Sequence, residues 1–150
     1  MPEESDDANY WATLVPELVV SDLSTSLMFW CEILGFRQRF GRPEDGFVYL
    51  TLGRAQVMLE QVADGVWRTA SLRQPFGRGM NLQIEVEDVD ALHARVRAGG
   101  IVPFRPMRTT WYREGDRENG QREFLVQDPD GYLLRFAQHM GHRPISPPLD

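Results

Sequence analysis

The sequence predicts an α+β protein built from two modules, each with the element order βαβββ. Segments 18–36 (LVVSDLSTSLMFWCEILGF) and 84–101 (IEVEDVDALHARVRAGGI) share one plan. Each has a short β-branched run, an aspartate where a helix begins, an amphipathic stretch and a glycine where the helix ends. Strand-like runs follow each helix, so both halves show the same order of elements. The repeated order carries this prediction, since the two halves share few letters.

In the first module, a strand over PELVV leads into a helix over 23–34. The Asp22 carboxylate can cap the first turn of this helix, and Gly35 stands where a helix ends in the left-handed conformation. Three strands follow in FRQRF, GFVYLTL and AQVMLEQV, with Gly46 and the pair Gly53-Arg54 as hairpin turns. Apolar residues surround the helix on nearly every side. We therefore expect it to be buried on more than one side, with a partner subunit covering part of it.

In the second module, a strand at IEVE precedes a helix that Asp88 caps and that ends at Gly99-Gly100. We expect a strand near 101–104, a long loop over 105–119, and then strands at REFLVQ and YLLRFAQ around the turn DPDG. The module boundaries follow from these elements. They are an N-terminal tail at 1–12, the modules at 13–61 and 79–138, a linker at 62–78 and a C-terminal tail at 139–150.

Composition excludes several classes of function. Of the 150 residues, 42% are hydrophobic, which suffices for one compact core. The net charge of −6 argues against nucleic-acid binding, and no apolar run is long enough to span a membrane. The acidic start is unlike a signal peptide, so we expect a cytoplasmic protein. All 16 basic residues are arginine, which excludes lysine Schiff-base chemistry, and the single Cys31 makes no internal disulfide.

Three stretches, LVVSDLSTSLMFWCEILGF, LQIEVEDVDAL and FLVQDPDGYLLRF, resemble the vicinal oxygen chelate superfamily. It includes glyoxalase I, extradiol dioxygenases and bleomycin resistance proteins, and the resemblance covers about residues 13–138. It implies that the two modules form an eight-stranded open cup, in a homodimer with paired or exchanged modules. In character the chain is most similar to the bleomycin resistance branch. Because this superfamily hosts many functions, its fold does not choose among them.

The resemblance also implies where a metal would bind. In glyoxalase-like members the ligands come from the first and fourth strands of the modules, here at Val15, Glu60 (or Met58), Asn81 and Arg135. Val15 has no donor atom, Asn81 offers only an amide oxygen, and Arg135 brings a permanent positive charge. Divalent metals need several deprotonated or imidazole ligands. We therefore expect neither a metal nor another cofactor.

Strand alternation extends the set of residues that face the cup. The positions in phase with these slots are Val15, Glu17, Val19, Gln56, Met58, Glu60, Asn81, Gln83, Glu85, Leu133, Arg135 and Ala137. Such polar side chains need partners if buried. One interpretation pairs Arg135 with one or two of the glutamates at 17, 60 and 85. The other is a wet, acidic cavity suited to a ligand with amides and positive charge, and both can hold.

Aromatic residues in predicted loops are candidates for stacking on a ligand. Trp67 lies in the linker, and Trp111-Tyr112 lie in the loop at 105–119. The alternative is that they cover the edge of the cup or a dimer contact. The stretch WYREGDRENGQREF resembles the PWGREF-like stretch of bleomycin resistance proteins, where a tryptophan contacts drug between subunits. It departs from that pattern because Gln83 and Glu85 stand where those proteins place tryptophans.

Three hypotheses follow. The first is a metal-independent protein that sequesters a polar or cationic organic ligand in a cup or dimer groove. Its candidate ligand-binding residues are Glu17, Met58, Glu60, Asn81, Gln83, Glu85, Trp111, Tyr112 and Arg135. The second is a glyoxalase-like lyase, isomerase or dioxygenase with an atypical site, in which Glu60 acts as a base or metal ligand. The third is a structural or regulatory domain. The expected partners are a small organic ligand and a second copy of the chain, with no nucleic acid or membrane.

Overall fold

A computed structural model describes residues 9–145. The chain divides into two compact units. Unit 1 comprises residues up to 78 together with 128–132, and unit 2 comprises residues 79–127 together with those from 133 onward. Each unit holds a mixed four-stranded sheet with one helix between its first and second strands. The predicted α+β class with two βαβββ modules is confirmed. Between residues 9 and 145, no helix is long and apolar enough to cross a membrane.

The strand bounds of the two sheets follow in chain order. Unit 1 has β1 (Glu17–Val20), β2 (Arg37–Arg42), β3 (Phe47–Leu52) and β4 (Ala55–Gln61), arranged β1-β4-β3-β2. Unit 2 has β5 (Leu82–Glu85), β6 (Arg105–Glu114), β7 (Arg117–Gln127) and β8 (Leu133–Pro144), arranged β5-β8-β7-β6. In both sheets the first strand pairs in parallel with the fourth, and the remaining pairs are antiparallel.

The helix of unit 1 begins as predicted. Helix α1 (Leu23–Leu27) starts after Asp22, whose carboxylate accepts hydrogen bonds from the backbone N–H groups of Ser24 and Thr25. It continues as a π-helix over Met28–Ile33, and Gly35 follows with a φ of 88°. Phe29 and Trp30 are buried, whereas Met28 is 66% exposed. The helix is therefore buried at Phe29 and Trp30 but leaves Met28 uncovered.

The helix of unit 2 builds that unit's core. Helix α2 (Val89–Ala98) starts after Asp88, whose carboxylate accepts from the backbone N–H of Ala91 at 3.0 Å. Its buried side chains belong to a stripe at helical spacing, as expected for a helix that covers a sheet. The side chains of this stripe are Val89, Leu92 and Val96. Beneath α2, Phe124 of β7 and Phe136 of β8 stack at 5.7 Å between ring centroids and are fully buried.

The predicted strand near 101–104 and loop over 105–119 are wrong. Residues 105–114 form β6 and residues from 117 onward form β7, so this segment is a β-hairpin with Gly115 in its turn at a φ of 62°. The threonines and aromatics of RTTWYRE favour a strand, and cross-strand pairing outweighs their charged neighbours. Strand β8 also runs on to Pro144, so residues 139–144 are paired with β7 rather than forming a tail.

The DPDG turn lies in unit 1 and is held there by a buried hydrogen-bond network. Asp128 accepts from the Trp30 indole N–H at 3.2 Å and from the backbone N–H groups of Asp130 and Tyr132. Asp130 in turn accepts from the backbone N–H of Ser21 at 3.0 Å. Burial raises the pKa of Asp128 to about 6, although the hydrogen bonds act in the opposite direction. The network fixes the turn that precedes β8.

Candidate functional site

The candidate residues fall into two groups, one in each unit. Strand pairing places those of unit 1 on one face of its sheet: Glu17 is opposite Met58, and Glu60 is opposite both Val19 and Phe47. We call this the polar face of unit 1. On the other face, Leu18 and Leu59 are buried. The alternation inferred from the sequence therefore holds across β1 and β4. Val15, half-buried, precedes β1.

Two carboxyl groups and a set of aromatic rings characterise the polar face of unit 1. Burial raises the pKa of Glu17, and a side-chain hydrogen bond with Glu60 and its charge raise it further. On the same sheet Phe40 stacks on Tyr49 at 5.2 Å, and Trp11 meets Tyr49 edge-on at 5.2 Å. Trp11 is 53% exposed. This face can accept a positive charge at its carboxyl pair and a flat group against its exposed rings.

In unit 2, pairing brings Arg135 into line with Gln83 of β5 and Leu125 of β7. The next row holds Glu85, Ala137 and Glu123, and we call the face that carries both rows the polar face of unit 2. Gln83 and Glu85 are exposed there, whereas the side chain between them, Ile84, is buried. Asn81, which is also exposed, directly precedes β5.

Arg135 forms a compact cluster with two residues of the hairpin. Its Nε donates to the Glu123 carboxylate at 2.8 Å, and the Tyr112 hydroxyl donates to the other oxygen of the same carboxylate. The Arg135 guanidinium carbon lies 5.3 Å from the centre of the Tyr112 ring. Glu123 is 1% exposed. Desolvation raises the pKa of Tyr112, and Glu123 raises it further.

The sequence-based expectation for the partner of Arg135 is wrong in one respect. The partner is Glu123 of the neighbouring strand, not a glutamate at 17, 60 or 85. Glu123 lies opposite Ala137, a position already expected to face the cavity. Directly opposed residues in an antiparallel pair share a face. Pairing the residues of the two strands in order, starting from the DPDG turn, would therefore have placed Glu123 on the same face as Arg135.

Trp111 lies apart from this cluster. Successive residues of a strand point to opposite faces, so Trp111 and Tyr112 are on different sides of β6. The Trp111 ring covers Gly120 directly across the hairpin, where a Cβ atom would come within 2.7 Å of the ring. The Arg143 guanidinium lies over the Trp111 ring, 4.1 Å from its centre. Trp67, in the segment after β4, is 90% exposed.

The residues at the four inferred metal slots do not fit a divalent cation. Unit 1 supplies Val15, which has no donor atom, and Glu60. Unit 2 supplies Asn81 and Arg135, whose guanidinium is already paired with Glu123. Within residues 9–145, no group of three or more His, Cys, Asp or Glu side chains is arranged to hold a metal ion. The donor set thus lacks the deprotonated ligands that such sites require.

Comparison with known proteins places the chain in a family. The model of the Glyoxalase/Bleomycin resistance protein/Dioxygenase superfamily matches residues 12–136. The chain belongs to this superfamily. Bleomycin resistance proteins from Geobacillus stearothermophilus and Staphylococcus aureus are each 31% identical to it over 135 residues, covering 84% of this chain and 96% of theirs. The resemblance drawn from the sequence motifs is confirmed.

Three solved structures share the fold. TioX from Micromonospora sp. ML1 superposes with a TM-score of 0.66 at 24% identity, covering 87% of this chain and 100% of TioX. A virulence protein from Salmonella typhimurium gives a TM-score of 0.64 at 20% identity, covering 87% of this chain and 98% of its own. A lactoylglutathione lyase from Agrobacterium tumefaciens gives 0.55 at 18% identity, with 87% and 95% covered. At these identities the likeness concerns the fold alone.

Proposed function

We propose that this superfamily member binds a small polar or cationic organic molecule without a metal ion and withholds it from its target. The observation that carries the proposal is the Arg135–Glu123 ion pair, which occupies the slot where metal-binding relatives are expected to place a glutamate. A fixed guanidinium opposes a cation at that point by charge repulsion. The bleomycin resistance proteins at 31% identity support the proposed class of function.

Each unit, taken by itself, offers candidate ligand contacts. In unit 1, Glu17 and Glu60 would take a cationic group, with Met58 as an adaptable apolar neighbour. The candidates of unit 2 are Asn81, Gln83, Glu85, Trp111, Tyr112 and Arg135. Of these, Tyr112 and Arg135 belong to one cluster, whereas Trp111 would contribute from the other side of the hairpin. We further propose that the active form is a cytoplasmic homodimer.

Titration with metal-free bleomycin, followed by tryptophan fluorescence, tests the binding. We expect a saturable change with a dissociation constant of about 1 μM or tighter, equivalent to roughly −8 kcal/mol. Replacing both carboxyl groups (Glu17→Gln with Glu60→Gln) should weaken binding about tenfold or more, since an ion pair with the ligand is lost. Glu44→Gln, an exposed glutamate on the short helix after β2, is the matched control and should leave binding unchanged.

The absence of a saturable change with bleomycin and with a panel of cationic amide-containing ligands would contradict the proposal. So would wild-type affinity in the double glutamine variant. Resistance is a further readout, because bacteria that express the chain should survive bleomycin doses that kill the parent strain. Expression of the double variant should not protect them.

Metal uptake tests the other part of the proposal. Protein purified without a tag or chelator and dialysed against Zn, Ni, Mn and Fe(II) should retain almost none of these ions. The reason is that, of the residues at the four inferred slots, only Glu60 is a good ligand for a divalent cation. One tightly held ion per chain would show that the assignment of the slots is wrong and would favour the enzyme hypothesis.

A second candidate function is proton abstraction by the carboxyl pair of unit 1. The raised pKa of Glu17, caused by burial and by Glu60, is the observation that favours it, because a carboxyl group with a raised pKa is a stronger base once ionised. Here Glu60 or Glu17 would remove a proton from a carbon next to a carbonyl. Turnover of a keto substrate that is lost in Glu60→Gln, with the variant still folded, would establish it.

A further inference from the structure

We propose that the polar face of unit 2 binds a carboxylate group of the organic ligand, through the terminal nitrogens Nη1 and Nη2 of Arg135. This inference rests on the proposed function and adds to it the chemical class of one ligand group. Glu123 and Tyr112 then act as positioning residues that hold the guanidinium in its binding orientation.

Arg135 has hydrogen-bond donors that are not used by its pairing with Glu123. A guanidinium carries five N–H donors, one on Nε and four on the two terminal nitrogens. The Nε–H is taken by Glu123, and the Arg135 side chain makes no other hydrogen bond to residues 9–145. Its side chain is 25% exposed. The paired terminal N–H groups match the two oxygens of a carboxylate in spacing and plane.

Arg135 is held by a buried carboxylate, that of Glu123. Glu123 is 1% exposed, and each of its carboxylate oxygens accepts from one member of the cluster, Arg135 or Tyr112. Burying a carboxylate is costly, and a buried ion pair is an inefficient way to stabilise a fold. Such a pair does fix a long side chain in one orientation. A binding arginine fixed in advance loses less conformational entropy when the ligand arrives.

Further arginines lie near Arg135 on the same face of the sheet. Arg105 lies opposite Leu125, in the same row as Arg135, and Arg108 lies opposite Glu123 in the next row. Both arginines are exposed. The fourth member of the Arg135 row is the neutral amide Gln83, whose N–H₂ group can donate to an oxygen. Glu85, in the same row as Arg108, is also exposed, and Glu123 is paired with Arg135. The two rows still hold three arginines against two glutamates, so the Arg135 row attracts an anion, in contrast to the paired carboxyl groups of unit 1.

The test follows the Nε–H signal of Arg135 by NMR in protein labelled with ¹⁵N-arginine. The signal is assigned by its loss in Arg135→Gln, and benzoate and benzamide are added in turn at constant ionic strength. These probes share a ring and differ in the carboxylate. We expect benzoate to shift the signal saturably, with a dissociation constant on the order of 1 mM for such a small fragment, and benzamide to leave it in place.

Variants separate the binding residue from the positioning residues. Arg135→Lys keeps the charge but lacks both the paired donors and the reporter signal, so its benzoate affinity is read, as in wild type, from the backbone amide signals of Arg105 and Arg108 in the same labelled protein. It should lose about tenfold in benzoate affinity. Glu123→Gln and Tyr112→Phe leave Arg135 itself unsubstituted. Each should weaken benzoate binding about threefold to tenfold, because the Arg135 guanidinium is then no longer held in one orientation. Arg122→Gln is the matched control. Arg122 is paired with Asp90 on the opposite face of the same sheet and should not affect benzoate.

Three results would overturn the inference. The first is an equal shift with benzoate and benzamide, and the second is wild-type benzoate affinity in Arg135→Lys. The third is no shift up to about 50 mM benzoate, a concentration far above the dissociation constant expected for a fragment. Unchanged affinity in both Glu123→Gln and Tyr112→Phe would overturn the positioning roles. The bleomycin titration reads out the proposed function separately. If bleomycin binds but benzoate and benzamide shift the signal equally, only this inference is refuted. If benzoate binds selectively but bleomycin does not bind, the proposed sequestering function is refuted.

Discussion

Replacing Gly131 with alanine should destabilise unit 1 strongly, for two separable reasons. Gly131 has a φ of 96°, a conformation that residues with a Cβ rarely adopt. A Cβ built there would lie 2.4 Å from Cβ and 2.6 Å from Cα of Pro75, contacts that unstrained atoms do not make. The neighbour is backbone and a proline ring, so it cannot swing aside as a long side chain would.

The size of each effect can be worked from a matched glycine. Gly141 has nearly the same φ, 95°, but nothing within 4 Å of its ideal Cβ. Gly141→Ala should therefore cost only the backbone strain, about 1–3 kcal/mol. Gly131→Ala should cost the same strain together with the overlap, which for overpacked sites is about 1–3 kcal/mol. We expect the two variants to differ by roughly 2 kcal/mol in the free energy of unfolding.

Urea denaturation followed by circular dichroism and tryptophan fluorescence measures this difference. The comparison requires both variants to keep the wild-type dependence on urea, since a changed slope would mean a changed folded or unfolded state. Equal losses in the two variants would refute the reasoning, because the overlap with Pro75 would then have no energetic consequence. A stable Gly131→Ala variant would refute the strain argument as well.

Three further predictions concern other parts of the chain. In the folded protein the pKa of Asp128 is about 6, against an ordinary 3.8. Its contribution to the free energy of unfolding is therefore complete below about pH 4 and is lost as the pH rises through 6, a loss of up to about 3 kcal/mol. Denaturation at several pH values should show this fall in wild type but not in Asp128→Asn, and parallel curves would contradict it. Gly120→Ala should displace the Trp111 ring, shifting its emission to the red and costing about 1–3 kcal/mol; an unchanged spectrum would argue against the packing. Asp88→Ala should cost about 1 kcal/mol by removing the helix cap, measured as a lower urea midpoint, and no loss would mean that the cap is dispensable.

Local signals in the sequence predicted most of the fold. Short β-branched runs and the repeated order of elements placed β1 and β5. Strand alternation, counted from the slots that the resemblance implies, assigned the faces of β1, β4 and β5, because the side-chain period of a strand is fixed by backbone geometry. Asp22 and Asp88 marked the helix starts, since capping uses atoms only two or three residues away. These features depend on neighbours in the chain, so a single sequence is sufficient to find them.

The hairpin of β6 and β7 was missed because its stability comes from partners across the strands. Arginine, glutamate and glycine in 112–120 indicate a loop when taken one by one. Pairing with β7, and the cover that Trp111 provides over Gly120, hold the same residues in a sheet. The path of α1 into a π-helix is a similar case, since no residue type in 28–33 specifies it.

The sequence by itself determined the βαβββ repeat and the parity of its strands, because these depend on spacing along the chain. The metal slots at Val15, Asn81 and Arg135 came from the resemblance to the superfamily, and their assignment stays a prediction. Only the tertiary structure decided that Glu123 holds Arg135, that Tyr112 joins this pair while Trp111 does not, and that Asp128 lies against Trp30. Such partners are brought together by strand register and chain topology. Their contacts depend on the whole sheet, and no local pattern encodes them.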